Sequence, residues 1–246
     1  MLELWTYPQS TCSQKVRFAL AEKGINYVSR NIALDRGEQV SDWYLAINPN
    51  GVAPTLVEDG VAILDSSVIT EYLEDTRPSP ALRPAEPKAL AHMRAWRAFI
   101  DEVPTPAIRP PSFNAFIVQG FAHLDDEGFA AAAERRPLRK HFYQKMTQRG
   151  FDQQAIDEAL DKLRATLLRM EAALADGPWV CGEMFTLADI SLSPTIVRME
   201  DLSLAHMWSD LPGVADWYRR IQQKTGFTAA FAPPARDIFH SRGAAC

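Results

Sequence analysis

Cysteine is scarce in this chain of 246 residues, with only Cys12, Cys181 and Cys246. An odd number at such wide spacing builds neither a disulfide framework nor a zinc site, so a reducing compartment is expected. No apolar run approaches the roughly 20 residues needed to span a bilayer. Met1 to Gln9 lack both the basic stretch and the apolar core of a secretory leader. The expectation is a cytoplasmic protein with no membrane partner. A basic surplus is missing as well. Lys and Arg number 26 against 31 Asp and Glu, a formal net charge of -5 mixed along the chain. The continuous basic surface that a phosphate backbone requires is therefore absent, which excludes nucleic acid as an expected partner.

What is present is ordinary globular composition, 47% hydrophobic and 23% charged, in a chain long enough for two unequal domains. Leu2 to Tyr7 alternates apolar and polar residues and reads as a strand. The Pro8 to Thr11 turn leads into a helix from Ser13 to Lys23, with Gly24 placed as its C-cap. Tyr27 to Leu34 supplies a second strand, followed by a short polar helix around Gln39 to Ala46. Thr55 to Glu58 and Val61 to Leu64 flank the turn Asp59-Gly60 and predict a hairpin. Ser66 to Thr76 then carries Val68, Ile69, Tyr72 and Leu73 at helical spacing. This order of elements is that of a thioredoxin-like domain.

Four prolines between Arg77 and Pro87 interrupt regular structure and mark a linker. The domains expected are 1–80, α/β, and 88–246, all-helical. Helices are predicted over Lys88 to Val103, Asp152 to Ala175, Thr186 to Met199 and Pro212 to Lys224. Thr186 and Asp189 form a capping box, with Phe185 and Ile190 at its hydrophobic-staple positions, and both are assigned to folding. Between Pro104 and Gly150, clustered prolines and the basic run Arg135-Arg136-Pro-Leu-Arg139-Lys140 are read as a broken helix and a long surface loop.

Four strings occur in order: Ser10-Thr-Cys-Ser-Gln-Lys-Val-Arg17, Asn48-Pro-Asn-Gly-Val-Ala-Pro54-Thr-Leu56, Asp65-Ser66, and Phe185-Thr-Leu-Ala-Asp189. Together they resemble the glutathione S-transferase superfamily over nearly the whole chain. The resemblance implies glutathione as co-substrate, a hydrophobic small molecule as the second substrate, and a homodimer. The segment from Leu82 to Trp96, ending in Asp101-Glu102, looks like that of a bacterial branch that includes glutathione-dependent β-aryl etherases.

The chemistry requires a thiol held as thiolate at neutral pH, whereas a free cysteine thiol titrates at roughly 8.5. Lowering that by two units takes about 2.7 kcal/mol. A hydroxyl donating to a charged sulfur supplies about 1.5–3 kcal/mol and a helix N-terminus about 0.3–1. One serine at a helix start therefore suffices. In classes that look like this one, such as zeta, the catalytic hydroxyl opens the string, which maps onto Ser10. An ordinary N-cap is its alternative role. Cys12 is either a small apolar filler or a nucleophile, as in a glutathione-dependent dehalogenase or peroxidase. Tyr7 ends the first strand, where the resembling alpha, mu and pi classes use a tyrosine, but the Ser-x-Cys-Ser string that follows it argues for Ser10 instead.

The resemblance also implies that Pro54 follows a cis peptide bond and that Ala53 offers its N–H and C=O to glutathione in β-augmentation. Asp65 and Ser66 suit the γ-glutamyl ammonium and carboxylate, with plain helix capping as the alternative. Gln39 and Asn48 are candidates for the glycyl end. Trp96, Phe99, Phe116, Phe227, Phe231 and Phe239 are candidates for an apolar pocket beside the sulfur. A non-catalytic interaction module on the same fold is the rival from another functional class.

Overall fold

A computed structural model describes residues 1–236 of the chain. Strand β1 (Leu2–Thr6) turns Leu2, Leu4 and Thr6 inward, as its alternation predicts. Helix α1 (Thr11–Glu22) follows, then β2 (Val28–Asn31), shorter than the strand expected over 27–34. The expected polar helix becomes two 3₁₀ turns, 34–36 and 38–40, and a four-residue helix, α2 (Asp42–Leu45). Gly37, at φ 76°, and the extended Ser41 interrupt it. Strands β3 (Thr55–Glu58) and β4 (Val61–Leu64) form the hairpin, with Asp59 and Gly60 at φ 50° and 84°. Helix α3 (Ser66–Thr76) completes the unit.

The sheet order is β2-β1-β3-β4, with β1 parallel to β2 and antiparallel to β3. Leu4, Val16, Leu20, Leu56, Ile69 and Leu73 fill the layer between this sheet and the helices α1 and α3. This is the thioredoxin-like domain.

Every later element is helical among the described residues: α4 (Pro87–Glu102), α5 (Pro104–Ala107), α6 (Arg109–Ser112), α7 (Asp126–Glu134), α8 (Lys140–Met146), α9 (Gln153–Ala173), α10 (Leu187–Asp201), α11 (Pro212–Gln222) and α12 (Thr225–Phe231). Helix α10 is buried nearly all round, which makes it the axis of the helical core. Its start is the predicted capping box, and Asp189 also accepts from Trp217 Nε1 at 2.9 Å and Val180 N at 3.1 Å.

Residues 104–150 depart from the expected surface loop. They form α5 to α8 and a π-helical turn, Phe113–Ile117, around an apolar centre of their own. Phe129, Tyr143, Met146 and Phe151 are buried there, and Phe113 and Phe142 meet edge to face at 4.9 Å. Pro104 and Pro110 sit in the first turns of α5 and α6, where a missing N–H is harmless. They start helices rather than break them.

Helix α1 joins the domains. Phe18 packs edge to face on Phe231, with ring centroids 5.9 Å apart. A Cβ on Gly226 would fall 2.2 Å from the Phe18 ring, so α12 approaches α1 this closely only with glycine there. Arg17, buried, donates to Thr6 Oγ1, the Pro8 carbonyl and the Ala230 carbonyl at 2.7–3.0 Å. No described helix is long and apolar enough to cross a membrane.

Candidate active site

A cavity of about 490 Å³ lies between the two domains. Tyr7, Ser10, Cys12, Gln39 and Ala53 line its N-terminal side. The turn after β1 must reverse into α1, and Ser10 does this as N-cap, at φ -70° and ψ 117°. Its Oγ accepts from Ser13 N at 3.3 Å. That bond uses a lone pair and leaves the hydroxyl proton for a ligand. Cys12, half-buried in the first turn of α1, faces the same cavity as a free thiol.

The Ala53–Pro54 peptide is cis, and Pro54 is buried beneath the lining. Asn48 departs from its candidate role, because its side chain holds this loop. Its amide donates to the Val52 carbonyl at 2.9 Å and to Thr55 Oγ1 at 2.8 Å, while its Oδ1 accepts from Asn50 N. Gln39 is buried and its Oε1 has no partner among the described residues.

Asp65 and Ser66 begin α3 and lie outside the cavity lining. Asp65, at φ 69°, caps the helix through Oδ1, which accepts from Ser67 N at 2.8 Å and Val68 N at 3.1 Å. Its Oδ2 has no hydrogen bond among the described residues. Ser10, Cys12, Gln39 and Ala53 are thus brought together, with Asp65 and Ser66 set to one side.

The opposite wall comes from residues 108–143 and from α10. Phe113, Phe116, Phe121, Phe142 and Tyr143 face the cavity. Of the aromatic residues singled out from the sequence, Phe116 alone is among them. Trp96, Phe99, Phe227 and Phe231 belong to the helical core instead, and Phe239 lies outside the described residues. Their helical spacing marked a buried face, and spacing alone does not distinguish a core from a pocket.

Arginines are the other feature missed. Arg36, Arg109, Arg136, Arg139 and Arg198 line the cavity, against one acidic residue, Asp35. Arg198, on α10, donates to the Gln9 carbonyl at 2.6 Å and lies over the Phe116 ring at 4.9 Å. Burial pulls its pKa down to about 10, so it remains charged at neutral pH. Arg139 is pulled below the usual range by burial and then by the repulsion of Arg109, with Cys12 and Asp65 opposing. The basic run at 135–140 was the signal, and its place over the cavity was not.

The roof rests on the floor. Arg135 donates to the Val40 carbonyl at 3.4 Å. A Cβ on Gly51, which has φ 60°, would lie 3.2 Å from both Pro137 Cδ and the Gln39 carbonyl oxygen.

Comparison with known proteins gives the family of the chain. The family described as "Glutathione S-transferase, N-terminal domain" matches residues 9–76, and "Glutathione S-transferase, C-terminal domain" matches 153–220. The chain belongs to the glutathione S-transferase family, and it is a glutathione-dependent transferase. Protein LigF of Sphingobium sp. is 28% identical over 245 residues, spanning 96% of this chain and 95% of that protein. The crystal structure of beta-etherase LigF from Sphingobium sp. strain SYK-6 superposes with a TM-score of 0.84, covering 94% of this chain and 98% of that one. Maleylacetoacetate isomerase of Pseudomonas aeruginosa is 30% identical over 220 residues, 87% of this chain and 90% of the enzyme.

Proposed function

We propose that this transferase holds the glutathione thiolate on Ser10 and directs it at an electrophilic carbon of an aromatic compound, an aryl ether among the candidates. The observation that carries the reading is one shared cavity. The Ser10 hydroxyl, the cis Ala53–Pro54 loop and a wall of aromatic rings all border it. In ether cleavage the thiolate forms a C–S bond, the C–O bond breaks, and the phenolate leaves with the electron pair and is protonated. The ether reading is supported by similarity to a protein described as a beta-etherase. Holding both substrates in one cavity supplies much of the rate.

Glutathione runs from Ser10 past Ala53 toward Asp65 and Ser66, with Gln39 toward its glycyl end. Residues 1–80 serve glutathione and 88–246 serve the co-substrate, in a cytoplasmic homodimer. Cys12 supports a second reading, since its thiol faces the same cavity and is the nucleophile of a dehalogenase or peroxidase route.

The test is thermal unfolding with and without millimolar glutathione, together with mass spectrometry of products from a β-aryl ether model. An upward shift is expected, about 2.7 kcal/mol at a hundredfold excess over Kd. A glutathionyl adduct and a free phenol should appear together. An unchanged midpoint with no calorimetric heat would remove the reading.

A further inference from the structure

We propose that the co-substrate of this site is an anion, an aromatic electrophile bearing a carboxylate that is seated on Arg109, Arg136 and Arg139. The inference rests on the glutathione-transferase reading and narrows it to a substrate class.

The chain is acidic overall, yet its cavity is cationic, with five arginines facing one carboxylate. Arg36, Arg109, Arg136 and Arg139 make no ion pair with a carboxylate among the described residues. Arg136 is only 8% exposed. Its guanidinium lies 4.4 Å from the Tyr143 ring centroid and 5.4 Å from that of Phe121. One amino group donates to the Ala132 carbonyl, and Nε has no partner. A buried guanidinium with an unmet donor is what an oxyanion satisfies, and a planar carboxylate matches its fork. Arg109 and Arg139 line the same cavity with no carboxylate paired to either among the described residues, so an anion bound there meets two cations.

Glutathione itself brings two carboxylates and one ammonium, and its path lies along the N-terminal side, where Arg36 stands near Gln39. Arg109 and Arg136 belong to the other wall, among the rings of Phe113, Phe121 and Tyr143. Flat apolar faces edged by cations suit an aromatic ring with a charged substituent. A neutral co-substrate would leave those cations unused.

The experiment is calorimetric titration of the full chain with glutathione, S-(4-carboxybenzyl)glutathione and the methyl ester of that conjugate. The acid should bind at least tenfold tighter than the ester, and Arg109→Gln or Arg139→Gln should each reduce that ratio severalfold. Equal affinity for acid and ester, with glutathione bound, overturns the anionic class and leaves the glutathione reading standing. A protein that binds no glutathione removes the underlying reading, and the inference with it. An acid preference intact in both variants overturns the assignment to these arginines.

Discussion

The Arg198 guanidinium, carried by the central helix of the C-terminal domain, donates at 2.6 Å to the carbonyl oxygen of Gln9 in the N-terminal domain. The next residue is Ser10. Its oxygen is fixed from the other side by Ser13 N. The N-cap serine is thereby held between a helix end of its own domain and a buried cation of the other.

That arrangement separates Ser10 from Cys12 in one pair of variants. Ser10→Ala should lose about 1.5–3 kcal/mol of thiolate stabilisation, roughly 10- to 150-fold in rate at neutral pH. Cys12→Ala should lose little. Removing a donor to the thiolate raises the pKa of bound glutathione, so the Ser10 variant should recover as pH rises and free glutathione ionises unaided. Turnover from pH 6 to 9.5 and bound-thiolate absorbance measure this. A dead Cys12 variant beside a wild-type-like Ser10 variant would falsify the serine assignment.

Asp65 caps α3 through one oxygen and keeps the other. Asparagine tolerates its positive φ and can retain the cap, so Asp65→Asn isolates the charge. Glutathione affinity should fall roughly tenfold, with little change in unfolding temperature. Asp65→Ala should lower both. Undiminished affinity in Asp65→Asn would move the γ-glutamyl site elsewhere.

Cys181 is pushed up to about 12, by burial first and by the Asp189 charge second. The thiolate is the reactive form, so at pH 8 only on the order of one molecule in ten thousand presents it. Brief iodoacetamide treatment at that pH should leave Cys181 unmodified, and peptide mapping should find it labelled after unfolding. Glutathione should shield Cys12, which faces the cavity. Rapid labelling of Cys181 in the folded protein would contradict its raised pKa.

Asp189 accepts from the Trp217 indole and from two backbone N–H groups, those of Val180 and Thr186, in a fully buried place. Asp189→Ala orphans these three N–H donors, each worth about 1–3 kcal/mol when left unmet, and frees the Thr186 hydroxyl that also donates to the carboxylate. A loss of at least about 3 kcal/mol in urea unfolding is expected, a large share of a typical domain's 5–15. A loss below about 1 kcal/mol would show that the donors find other partners.

The thioredoxin-like half was legible because its signals are local. Period-two alternation in Leu2 to Tyr7 and the Asp59-Gly60 turn each act within a few residues, as does the Thr186–Asp189 box that made the start of α10 legible in the other half. The cavity's far wall was not legible. Phe113, Phe142 and Arg136 acquire their roles from long-range packing, and short helices opened by Pro104 and Pro110 hid the periodicity between them. Arg198 gave no signal either, since an arginine on a helix reads as exposed until its neighbours are known. Helix α12 was missed because seven residues are too few to show a repeat.

Pro137 resting on Gly51, with Arg135 holding the Val40 carbonyl, makes a single joint from two distant stretches of chain. A chimera that grafts residues 104–150 from a relative, in order to retarget specificity, would divide that joint and keep only one of its faces. The loop from Gly37 to Gly51 has to travel with the graft.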